Sequence, residues 1–206
     1  MITVFDIIFQ VLILLFSVIL HEVAHGYAAL SLGDPTARAA GRLTLNPIKH
    51  MDPWGTVILP LFLILIRAPF LVGWAKPVPV NPYLLRDPKR GMMLVGAAGP
   101  LANIALILLS AVVLRAMPFS APPFLFDLFK YCCAINIILA LFNLLPVPPL
   151  DGSKVVAGIL PPKMRDAYAG LERYGILIII ALLYLGILDR VIVPLYRTIF
   201  YFLVQA

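Results

Sequence analysis

Apolar residues run through this sequence in blocks too long and too unbroken to be the stripe of a soluble helix. Val4 to Leu32 is apolar except for Asp6, Gln10, Ser17 and the group His21, Glu22, His25, and Gly33-Asp34-Pro35 ends it. A helix needs about 20 apolar residues to cross a bilayer, so this block predicts a first span. Met92 to Met117 predicts another. Tyr131 to Leu145, begun a turn or two earlier, predicts a third that Pro146, Pro148 and Pro149 stop. Leu171 to Leu188 is a further apolar run, and Val191 to Val204 a short one carrying Pro194 and Arg197. The pattern changes between the first two spans. Residues 34–55 are polar and turn-rich, and Thr56 to Ile66 is apolar but short, interrupted by Arg67, Ala68 and Pro69. GWAKPVPVNP, residues 73–82, holds Pro77, Pro79 and Pro82. Each fixes φ and biases the residue before it to extended geometry, so this stretch must be extended.

The pattern predicts an all-α membrane protein, a polytopic helical bundle of about five to six apolar segments with a re-entrant or extended segment. No repeat, low-complexity tract or long linker divides the chain. It reads as one domain over 1–206, with a core over 4–160 and C-terminal apolar segments at 171–188 and 191–204. Composition agrees: 62% of the 206 residues are apolar and 13% charged, with mean hydropathy +1.01. An average soluble domain has about 45–50% and about 25%. That excess excludes an ordinary soluble domain, a disordered chain and a disulfide scaffold, and makes the lipid bilayer the first partner. The net charge of +6 is scattered over short loops between apolar runs, which reads as topology control and not as nucleic-acid binding. Cys132 and Cys133 are adjacent on a helix, about 100° apart, so no disulfide is expected between them. The N-terminus lacks a basic region and a small-residue cleavage site, so no signal peptide is expected.

HEVAH, residues 21–25, is the strongest chemical signal. Histidines at i and i+4 share a helix face, so both can reach one Zn²⁺ while Glu22 handles the proton of a water. An ionised group at a bilayer centre costs at least about 2.5–3.5 kcal/mol, and a cation offsets that where packing does not. Catalytic zinc usually takes three protein ligands, so a third must come from elsewhere. Asp151, His50 and Asp52 are the candidates. Asp151 is the best placed, because it follows the proline-broken PVPPLDG and Gly152 permits a tight turn beside it. Broken backbone at membrane depth is tolerated only where it lines protein or a polar cavity. GPLAN places Gly96, Gly99 and Asn103 on one helix face, where small residues let helices approach. Asn103 either bonds across helices or sits near the site. Asn143, eight residues before Asp151, is a polar side chain in an apolar span.

HEVAH in one membrane helix, GPLAN in the next and then FNLLPVPPLDG resemble the site-2 protease family of intramembrane zinc metalloproteases, in the small prokaryotic form. The likeness runs from about residue 4 to 160 and lacks the PDZ insertion and CBS tail of some members. It implies zinc held by His21, His25 and Asp151, and water activated by Glu22. It also implies a role for Asn143 in positioning or stabilising substrate. GWAKPVPVNP resembles the segment that supplies an extended strand beside the active site. The implied activity is hydrolysis of peptide bonds in transmembrane segments of other proteins, as in regulated intramembrane proteolysis. A metal transporter or sensor using the same ligands is the alternative. It needs a polar path on both sides of the membrane, and the outer halves of the spans have few ionisable residues.

If His21, His25 and Asp151 share one ion, the C-terminal ends of the first and third spans lie on one side. The 56–82 stretch then makes no net crossing. In that arrangement Arg38, Arg42, Lys49, Arg86, Lys89, Arg90, Lys154, Lys163, Arg165 and Arg173 lie on the metal side, against Arg115, Lys130 and Arg190 opposite. The positive-inside rule makes the metal side cytoplasmic, in a multi-pass protein of a prokaryotic plasma membrane. A protease must also hold its substrate extended, which leaves backbone groups unpaired at a cost of several kcal/mol each. An extended edge relieves that by adding the substrate as a strand. Val78 and Val80 keep their N–H groups between the prolines, so they are expected to line a substrate groove.

Overall fold

The computed structural model describes residues 4–66 and 75–205. Among them the regular structure is helical and there is no β-strand. The long elements are α1 (Val4–Ser31), then after the short helices α2 (Thr36–Ala39) and α3 (Leu59–Leu65), α4 (Pro88–Ala116) and α5 (Pro123–Asn143). They are followed by α6 (Asp151–Ile159), α7 (Pro162–Ala169), α8 (Gly175–Tyr184) and α9 (Ile187–Phe200). Among the described residues, four segments are long and apolar enough to cross a membrane: Ile7–Ser31, Pro88–Ala116, Pro123–Asn143 and Pro162–Tyr184.

Proline and glycine mark the ends. Pro88 opens α4 behind the Asp87 side chain, which accepts from the Arg90 N–H; proline at the first helical position gives up only an N–H that had no partner. Pro123 opens α5 in the same way, two turns before the apolar run expected from Tyr131. Gly33, with φ +108°, turns the chain out of α1, a conformation that side-chain-bearing residues avoid.

α4 is the central element, packed against α1, α5 and α6. α9 lies on the far side, with Tyr196, Ile199 and Phe200 against the buried Ile107, Ile137 and Ala140 of α4 and α5. It begins at Ile187 and runs through Pro194, so the expected 191–204 segment is part of a longer one. The 171–188 run is split by a left-handed residue, Gly186 at φ +66°, and its start continues α7 through a 3₁₀ turn at Gly170–Tyr174.

The residues on either side of the 51–75 stretch meet: the Lys76 N–H donates to the His50 carbonyl at 2.9 Å. Arg67, Ala68, Pro69, Gly73 and Trp74 lie outside the described residues; residues 75–81 are neither helix nor strand, with Asn81 in the extended region. The accessible surface is 13064 Å², against about 9,500 Å² for a soluble monomer of this mass. Large apolar side chains such as Leu12, Leu101, Leu109 and Val112 face outward on the spans, which suits lipid and not water.

Candidate metal centre

α1 carries His21 and His25 one turn apart, both 6% exposed, with their rings edge to face at 4.6 Å between centroids. α4 crosses them at Gly99, where a Cβ would collide with both imidazoles. Asp151, 5% exposed, is the first residue of α6. It therefore opens a helix, where a tight turn beside Gly152 was expected. Gly152 is required there because a side chain would strike the carbonyls of Leu144 and Leu145, not because its backbone is unusual. Asp151 Oδ2 lies 3.0 Å from His21 Nε2 and 3.1 Å from His25 Nε2, and the two nitrogens are 3.0 Å apart.

The far sides of the rings show where the protons are. His25 Nδ1 is 2.6 Å from the Val95 carbonyl oxygen. A carbonyl only accepts, so Nδ1 is the donor. His21 Nδ1 is 2.6 Å from Asn103 Oδ1. Neutral imidazoles held this way aim both Nε2 lone pairs, and one carboxylate oxygen, at a single point. Three acceptors within 3.1 Å repel one another unless a cation joins them. Two histidines and a carboxylate are a zinc donor set. Each histidine's other nitrogen has the outer partner that metal-binding histidines require. The residues fit zinc.

Glu22 is half-buried beside the histidines, with a carboxylate oxygen within 4.8 Å of their ligand nitrogens. Its Oε2 accepts the Val78 N–H at 2.8 Å. A cavity of about 250 Å³ opens here, lined by Glu22, His25, Val78, Val80, Asp151 and Lys154, among others. Lys154 Nζ donates to Asp151 Oδ1 at 2.9 Å, and its stem passes Gly96, where a Cβ would come within 2.8 Å of it. A larger apolar groove between α1 and α4, lined by Leu20, Val23, Tyr27 and Leu106, holds none of these groups.

The 75–81 segment is pinned along its length. Lys76 is tied to His50 as above, and buried Arg42 donates through Nη2 to the carbonyls of Lys76 (2.5 Å) and Pro77 (3.3 Å). The Asn81 N–H donates to Asp34 Oδ2 at 2.7 Å. These ties put the Val78 amide on Glu22.

The structure thus brings Glu22, His25, Asp151, Val78 and Val80 to one cavity, with His21 in contact with His25 and Asp151. Asn143 does not line it; its Nδ2 donates to the Leu139 carbonyl at 3.0 Å. The other third-ligand candidates are elsewhere. His50 Nε2 bonds the Thr44 carbonyl, and Asp52 Oδ1 accepts the Trp54 and Gly55 N–H groups. Sequence reasoning missed Arg42, Lys154 and Asn136. Lys154 had a signal, since i+3 from Asp151 on a helix is within reach. Arg42 had none, because its partners lie far along the chain; Asn136, which pairs with Cys132, Ser17 and Asn103, had only the weak signal of a polar side chain in an apolar span.

The sequence profile of peptidase family M50 matches residues 120–185. A protein of Bacillus subtilis, provisionally named zinc metalloprotease YwhC, is 39% identical over 183 residues, covering 84% of this chain and 79% of that one. A protein of Mycolicibacterium smegmatis, provisionally named zinc metalloprotease Rip2, is 30% identical over 176 residues, covering 85% of this chain and 66% of that one. Its namesake in Mycobacterium tuberculosis is 29% identical, covering 82% of this chain and 63% of that one. No solved structure matches the chain significantly.

Proposed function

The chain belongs to peptidase family M50, the site-2 protease family, and is a membrane zinc metalloprotease; we propose that it cuts transmembrane segments of other proteins near the cytoplasmic face. The observation that supports this most is the triangle of His21 Nε2, His25 Nε2 and Asp151 Oδ2 beside Glu22, at the ends of membrane helices. We assign His21, His25 and Asp151 as the zinc ligands. The catalytic unit is one domain over 1–206.

Zinc, when bound, supplies a Lewis acid for a water and for the scissile carbonyl. Glu22 is the general base: its carboxylate takes the water's proton and passes it to the leaving amine. The Val78 N–H holds that carboxylate on the cavity side. The Val80 N–H, which has no partner among the described residues, is left to pair with an unwound substrate. The cavity of about 250 Å³ is flanked by Val78 and Val80, which suits an extended strand of a membrane protein and the regulated cleavage of such segments.

The test is Glu22→Gln, which keeps the shape of the side chain and removes the base. Purified in detergent, this variant should retain zinc and lose cleavage of a transmembrane reporter substrate by several orders of magnitude. Undiminished cleavage would remove Glu22 from the chemistry. A metal carrier without peptidase activity would show zinc uptake into vesicles and no cleavage in the wild type.

A further inference from the structure

Three polar side chains lie where α1, α4 and α5 meet, and none is exposed: Ser17, Asn103 and Asn136 are each at 0%. Polar groups this deep are costly unless paired, and these are paired end to end. Asn136 Nδ2 donates to the Cys132 carbonyl at 2.8 Å and to Ser17 Oγ at 2.9 Å. The carbonyl only accepts, so this end of the amide is its NH₂ and the other is Oδ1. Asn103 Nδ2 donates to that Oδ1 at 2.8 Å. Asn103 Oδ1 is thereby turned to α1, where it meets His21 Nδ1 at 2.6 Å. An amide oxygen only accepts, so the His21 proton lies on Nδ1 and its lone pair on Nε2, facing His25 and Asp151. The polarity is set by one backbone carbonyl and carried through two amides, with no choice of tautomer left at the end.

We propose that Asn103 and Asn136 are positioning residues for zinc, which act by fixing the tautomer and the ring plane of His21. The proposal rests on the assignment of His21 as a zinc ligand. The two histidines differ in kind. His25 takes its orientation from a backbone carbonyl, that of Val95, which no substitution removes. His21 depends on side chains from two other helices. A relay across α1, α4 and α5 also couples the metal to the packing of the three spans, so a shift of α5 is felt at His21.

Partners behind metal-binding histidines are typically worth 10–100-fold in metal affinity. Zinc affinity of the detergent-purified protein, measured by competition with a chromophoric chelator, should fall by about that factor in Asn103→Leu and Asn136→Leu. Asn136→Asp, which as the neutral acid keeps a donor for the Cys132 carbonyl and an acceptor for Asn103 and gives up only the second donor, toward Ser17, should stay within about threefold of the wild type. Leu variants that fold and bind zinc as the wild type does would overturn the relay, as would an Asp variant no better than Leu. The wild type alone supplies a second reading. ¹⁵N NMR of the zinc-free protein labelled at its three histidines should show His21 protonated at Nδ1. The opposite tautomer would overturn the proposal without any variant. His21→Ala separates the two levels: unchanged zinc affinity there defeats the ligand assignment itself.

Discussion

Lys154 shows how much a single charge alters this site. With zinc held as proposed, its charge and those of Asp151 and Glu22 would sum to zero, and the ammonium 2.9 Å from Asp151 Oδ1 would make the balance positive by one. A positive balance favours the anion that develops when water adds to a peptide carbonyl. Lys154→Met keeps the stem that packs on Gly96 and removes only the charge. It should retain zinc and lower kcat about tenfold to hundredfold, less than loss of a direct oxyanion donor costs; Lys154→Arg should restore most of that. Metal analysis beside steady-state kinetics checks both, and an unchanged kcat in Lys154→Met would remove the charge from the mechanism. HEVAH and LDG were legible as candidate chemistry because each is local. Lys154 was overlooked because it read as one of the loop charges that set sidedness.

The segment 75–81 is the element that joins fold to chemistry. Its prolines made its shape readable, but its attachments were not. Arg42 reaches carbonyls 34 and 35 residues away, and no local pattern announces such a tie. The expectation that Val78 and Val80 line the groove rested on their surviving N–H groups, and the structure separates the two: Val78 spends its N–H on Glu22. Val80→Pro should therefore lower turnover of a helical transmembrane substrate at least tenfold while leaving zinc content unchanged. Val78→Pro should also release the Glu22 carboxylate and lower turnover of any substrate, short soluble peptides included. Equal loss on both substrate types in both variants would contradict the division of roles.

Asp34 anchors the far end of the same element, and its charge gives that anchor a pH dependence. Burial opposes ionisation of Asp34, but the Thr36 hydroxyl and the amides of Asn81 and Thr36 outweigh it and hold the pKa below the usual carboxylate range. A group lowered on folding contributes stability above its unfolded value, about 3.9, and that contribution is lost as pH falls through the folded value. The hydrogen-exchange protection factor of the Asn81 amide should be flat down to about pH 4 and then drop. In Asp34→Asn it should be low throughout, with no acid step. A step of the same size in that variant would assign the effect to another carboxylate.

Across the whole molecule, the three core spans were legible and the C-terminal third was less so. In a bilayer the outward face of a helix is as apolar as the core, so no stripe marks where α8 stops and α9 starts. Only Gly186 does, and an isolated glycine in an apolar run is a weak sign. The returning 51–75 stretch followed from a shared metal before any geometry, and the His50–Lys76 hydrogen bond agrees with it. The same reasoning predicts sidedness. In a background without Cys132 and Cys133, cysteines at the exposed positions Arg38 and Lys163 should label from the cytoplasm, and one at Phe119 from outside. Labelling of Arg38→Cys and Lys163→Cys from opposite faces would part Asp151 from HEVAH and end the shared site.

The most direct measurement is the zinc content of the detergent-purified protein and its variants. The wild type and Glu22→Gln should each hold one zinc per chain, Asp151→Ala should lose it on mild chelation, and His50→Ala should keep it. Zinc that survives in Asp151→Ala but is stripped in His50→Ala would show that the ion is held elsewhere.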